Sequence, residues 1–65
     1  MELISTYFNE QTSKARAEVI KNNGLYEVHY YNNSGQLFRS ENFVNEQTAQ
    51  NIAETWASQI QVLKE

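Results

Sequence analysis

The side chain with the most chemical scope is His29, which lies in the aromatic and β-branched run Leu25-Tyr26-Glu27-Val28-His29-Tyr30-Tyr31. An imidazole beside a carboxylate is the raw material of general acid–base work. It is the single histidine of the chain, and a nucleophilic dyad needs a serine or threonine within its reach. The nearest candidate, Ser40, falls on the opposite sheet face in the strand register developed below. His29 therefore reads as a surface side chain near Glu18 and Arg39. No two-histidine spacing exists, cysteine is absent, and the glutamates are scattered, so no metal-ligand set is expected. Gly24 and Gly35 are isolated turn glycines and form no phosphate-cradling loop. Asn32-Asn33-Ser34 matches a glycosylation sequon but reads as turn chemistry. The expectation is a protein that is not an enzyme and takes no cofactor.

Composition narrows the classes further. A chain of 65 residues makes one small domain with a marginal core, for which self-association is a natural remedy. Disulfides cannot staple it, because there is no cysteine. Met1-Glu2-Leu3-Ile4 lacks the basic region of a secretory signal, and no stretch nears the ~20 apolar residues of a membrane span. A cytoplasmic protein with no membrane contact is expected. All eight acidic residues are glutamate, the net charge is −3, and no charge block forms a tail. The abundance of Asn and Gln with no proline suits an A+T-rich genome, of the kind some phages and marine bacteria have.

Four strands and one helix must position these groups. Residues 2–9 form the first strand, where Ile4, Thr6 and Phe8 are the preferred core set over Leu3, Ser5 and Tyr7. Residues 14–21 and 25–32 flank Asn23-Gly24, a strong signal for a two-residue type I′ hairpin. Counting back from that turn pairs Val19 with Val28, Ala17 with Tyr30, Ile20 with Glu27, Glu18 with His29 and Arg16 with Tyr31. Asn32-Asn33-Ser34-Gly35 predicts a three-residue hairpin loop with a left-handed glycine, which sets Asn32 against Gln36. The fourth strand, 36–43, then pairs Tyr30 with Phe38, Val28 with Ser40 and His29 with Arg39. One pair in this register is poor: Glu27 faces Glu41.

Residues 46–63 show a helical period, with Asn45 as N-cap and Val44 placed to staple against Ala49. One ridge of the helix is small (Ala49, Ala53, Ala57) and one is bulky (Ile52, Trp56, Ile60, Leu63). The fold class is α+β: a four-stranded antiparallel meander followed by one C-terminal amphipathic helix packed on one face, ββββα.

With Ala17, Val19, Val28, Tyr30 and Phe38 under the helix, Ile20, Leu25, Tyr31, Leu37 and Phe43 point the other way among charged residues. A bare sheet face should be mainly polar, so these positions, with Arg39, are candidate interface residues. Trp56 and Ile60 are added as the part of the helix that could meet a second subunit. The reading is a homodimer that binds an unidentified protein partner as an adaptor or regulator. The element order resembles that of dimeric single-strand-binding domains of the transcription-coactivator and Whirly type. That resemblance implies sheet aromatics that stack bases, with Tyr7, Tyr31, Phe43, Arg16 and Arg39 as contacts. Five Lys and Arg against eight Glu leave no basic groove, so nucleic acid is the lesser alternative.

Overall fold

A computed structural model describes residues 1–9 and 15–59. The element order is β1 (Glu2–Phe8), β2 (Arg16–Asn22), β3 (Leu25–Tyr31), β4 (Leu37–Phe43) and α1 (Glu46–Gln59). The strands form one antiparallel meander in the order β1-β2-β3-β4, and α1 packs across it. The predicted helix positions Ile60 and Leu63 lie outside the described residues.

Turn chemistry fixes the centre of the sheet. Asn23 and Gly24 both hold positive φ, 55° and 82°, which the right-handed strand twist requires of a two-residue hairpin. The β2–β3 register is the one counted from that turn, from Arg16 opposite Tyr31 to Asn22 opposite Leu25. At the next hairpin the Asn32 Oδ1 accepts from the amides of Ser34 and Gln36, and Gly35 takes φ 81°. The Asn32 amide donates to the Gln36 carbonyl at 3.0 Å, as the three-residue loop predicts.

Beyond that bond the fourth strand departs from the expected count. Tyr31 still faces Leu37, but Tyr30 faces Arg39, and Phe38 is the extra residue of a β-bulge. The bulge shifts the rest of β4 by one position, which turns its side chains over. Glu41 now stands opposite Val28 and Asn42 opposite Glu27, so the poor Glu27–Glu41 pair disappears. A second irregularity lies between Leu3 and Ser5 in β1. It overturns the preferred core set: Tyr7 and Ser5 pair with Ala17 and Val19 on the helix side, Ile4 also packs on the core, and Phe8 is exposed.

The core is Ala17, Val19, Val28 and Tyr30 from the sheet, with Ala49 and Ala53 from the helix. Each large side chain buried here contributes about 1.5–3 kcal/mol. Among the described residues only the small ridge of α1 is buried. Three alanines let the helix backbone approach β2 closely, while Ile52 stays exposed and Trp56 half-buried. The Asn45 Oδ1 accepts from the Thr48 amide at 3.0 Å, the expected N-cap. Val44 is 81% exposed, so the expected staple to Ala49 does not form. The outer helix surface carries side-chain hydrogen bonds one turn apart, from the Gln47 amide to the Asn51 Oδ1 and from the Gln50 amide to the Glu46 carboxylate. Asn9, at the end of β1, is buried and donates from Nδ2 to the Ala57 carbonyl at 3.1 Å. It ties the sheet edge to the last turn of the helix.

Candidate functional site

The helix-free face of the sheet is ordered in rows that cross the strands. One row runs Phe8, Arg16, Tyr31, Leu37, taking one residue from each strand. The next is polar: Thr6, Glu18, His29, Ser40. A third runs Leu3, Ile20, Glu27, Asn42, with Leu25 beyond it on β3. The face thus has two apolar ends and a polar middle. Phe8 and Leu3 are each 57% exposed, Leu37 52% and Leu25 40%, whereas Ile20 is buried between its neighbours at 8%.

Polar groups on this face are tied to one another. The Arg16 guanidinium lies 3.8 Å over the Tyr31 ring and donates from Nε to Glu18 at 3.0 Å. His29 Nε2 bonds Glu27 Oε1 at 2.9 Å, and Asn22 Nδ2 donates to the other Glu27 oxygen at 3.0 Å. The Asn22 amide, then the His29 ring, hold the Glu27 carboxyl below the usual range, because both stabilise the ionised form. Glu18 and His29 are register neighbours as predicted, yet each bonds along its own strand instead of across.

The β4 slip corrects three placements. Ser40 sits opposite His29 on the same face, not on the other one. It is exposed there, and the His29 Nε2 is directed at Glu27 instead. Arg39 and Phe43, expected on the helix-free face, lie on the helix side. Phe43 packs against the core opposite Tyr26. Arg39 lies 5.4 Å from the Tyr30 ring centre and is ion-paired with Glu41. Ile20, Leu25, Tyr31 and Leu37 stand on the helix-free face as predicted, and Ile60 is outside the described residues. Phe8 was missed, since only the β1 irregularity decides which set faces out, while Leu3 faces out as expected but was not counted among the interface candidates.

On the helix side, α1 lies over β2 and reaches β4 least. An open groove of about 430 Å³ remains between them, lined by Tyr30, Arg39, Glu41, Asn51, Ile52, Thr55 and Trp56. Trp56 meets the Tyr30 ring at 5.0 Å and the Phe38 ring at 6.0 Å between centres, both tilted. At the groove floor the Tyr30 hydroxyl donates to Glu41 Oε1 at 2.8 Å. Burial, then that carboxylate, push the phenol up to about 12, and the hydroxyl with Arg39 holds Glu41 below its ordinary value.

No protein-family model, curated protein or solved structure matches the chain. The functional reading therefore stands on geometry. Among the described residues no three His, Asp or Glu side chains gather to hold a metal ion. No helix among them is long and apolar enough to cross a membrane.

Proposed function

We propose that this chain is a small non-enzymatic protein-interaction module, self-associating, which acts as an adaptor or regulator by presenting its helix-free sheet face to another protein. The observation that carries this is the row Phe8, Arg16, Tyr31, Leu37. It spans all four strands with exposed apolar ends and a stacked Arg–Tyr pair between them. Aromatic residues and arginine are the side chains that anchor protein interfaces, and exposed apolar side chains release water when a partner covers them. Four strands at about 4.8 Å spacing and seven residues at about 3.4 Å give a face on the order of 450 Å². A standard interface buries about 800 Å² per partner, so the face suits a transient complex or one that also uses a sheet edge.

The same aromatic row is what base stacking would need, but its charge setting favours protein over single-stranded nucleic acid. Arg16 is already paired with Glu18, Glu27 lies two rows on, and the net charge is −3. The test is affinity capture from cells that contain the protein, using wild type, Leu37→Asp, Phe8→Asp and, as a control, Val44→Asp. A partner that the two face variants lose, that Val44→Asp retains, and that binds again as purified protein supports the reading. A partner lost only through changes at Trp56 or Ile52 would move the site to the groove. Salt-sensitive retention of a labelled oligonucleotide would replace the protein by nucleic acid.

A further inference from the structure

We infer that the chain self-associates through the outer edge of β4, pairing antiparallel with β4 of a second copy about a two-fold axis through Ser40. This rests on the self-association in the function proposed above and names its surface. Among the described residues β1 and β4 are the two sheet edges, and each leaves one row of backbone N–H and C=O groups without a neighbouring strand. The edges are not equivalent. β1 carries its irregularity between Leu3 and Ser5 and has a single charged residue, Glu2. Beyond the Phe38 bulge, β4 runs regularly from Arg39 to Phe43 and carries opposite charges two positions apart.

That spacing is self-complementary. A two-fold axis perpendicular to the sheet keeps each face on its own side, so a residue can only meet one of the same face. Centring on Arg39 or on Glu41 sets like charge against like. Centring on Ser40 sets Arg39 against Glu41 of the second copy twice, on the helix side, so that the ion pair within each chain becomes a four-charge network, and small Ser40 against Ser40 on the other face; the face-matched ladder spans these three positions and ends where the Phe38 bulge meets Asn42 of the second copy. The register is thus chosen by charge. Among the described residues α1 does not obstruct it, because it lies over β2 and reaches β4 least. The two copies of β2 would be five strand spacings apart, about 24 Å, and two helices about 10 Å across leave about 14 Å between them. Each groove beside Trp56 then opens into one trough over the joined strands. An eight-stranded sheet results, with both helices on one side and a helix-free face twice as large on the other. The doubled face passes the area that a single copy lacks for a standard interface.

The test is a charge swap read by light scattering or sedimentation over a concentration series. Arg39→Glu alone sets glutamate against glutamate, and Glu41→Arg alone sets arginine against arginine. Each should weaken the dimer at least tenfold, while an equimolar mixture of the two restores it, because every facing pair is again opposite in charge. Thermal melts check that both variants fold. A second measurement does not depend on those side chains. The chain has no cysteine, so Ser40→Cys and Asn42→Cys each introduce a single thiol. In this register the Cβ atoms at position 40 of the two copies lie about 5 Å apart. Those at position 42 are four residues apart along the strands, about 14 Å. A short bismaleimide should link Ser40→Cys into dimers and leave Asn42→Cys largely monomeric. A dimer that cross-links equally at both positions, or that survives both single charge reversals, overturns the β4 edge while leaving self-association standing. A monomer at every concentration overturns self-association itself.

Discussion

Replacing Tyr30 by phenylalanine removes one oxygen atom and tests the slipped register of β4 directly. The ring is 2% exposed against Trp56, so the substitution leaves the packing in place and deletes only the hydroxyl that donates to Glu41. A hydrogen bond to a charged group contributes about 1.5–3 kcal/mol. Here the Glu41 side chain is 32% exposed and keeps Arg39, so water and the guanidinium recover part of that and about 1 kcal/mol is expected. An unfolding entropy of about 2.1 cal/mol/K per residue gives this 65-residue chain about 0.14 kcal/mol/K, so the melting midpoint should drop by about 7 °C at pH 7. The difference between wild type and variant should itself depend on pH. Glu41 is held below its ordinary value of 4.5 in the folded chain, so its contribution is present above that value and is lost as the pH falls through the lowered one. Tyr30 ionises near 10 unfolded and at about 12 folded, so its contribution is intact below 10 and declines from there to 12. Thermal melts by circular dichroism from pH 3 to 11 should show the gap widest near neutrality and narrowing at both ends. A gap that is constant across that range would refute the bond between the hydroxyl and an ionised Glu41. It would refute with it the turning of Glu41 to the helix side.

Four other substitutions probe the packing of the sheet and the helix. Asn9→Ala deletes the buried donor to the Ala57 carbonyl; it should cost about 1–3 kcal/mol in urea titration and speed amide exchange in the last turn of α1. Ala53→Leu forces a bulky side chain into the fully buried contact of α1 with the sheet and should destabilise by about 1–3 kcal/mol, whereas Ile52→Leu, on the exposed ridge, should be nearly neutral. Ser5→Ala has the opposite sign: the Ser5 hydroxyl is buried without a hydrogen-bond partner, so its removal should raise the urea midpoint.

Legibility in the sequence followed the turns. Asn23-Gly24 admits one hairpin geometry, so every β2–β3 pair could be counted outward from it, and Asn32 with Gly35 fixed the start of β4 in the same way. Past the turn, a bulge has no residue signature of its own. Phe38 suits a regular strand as well as a bulge, and the only warning was the Glu27–Glu41 pair that the slip removes. The same ambiguity hid the outward set of β1, where both alternating sets carry an aromatic. Trp56 is the largest side chain of the helix, yet among the described residues burial went to the alanines. A small ridge lets the backbone close on β2 and leaves the tryptophan at the groove. Asn9 is the last residue of the expected first strand, and only the fold shows its reach to Ala57. Of the candidate interface residues, those on β2, β3 and the first residue of β4 were placed correctly. Arg39 and Phe43 lie beyond the bulge and were not.

The division between a folding face and a binding face is tested most directly by amide chemical shifts, recorded as the captured partner is titrated into the labelled protein. The expected result is that Phe8, Arg16, Tyr31 and Leu37 and their row neighbours move, while Ala49 and Ala53 stay fixed. Shifts confined to Trp56, Ile52 and the helix side of β4, with the Phe8 row silent, would contradict it.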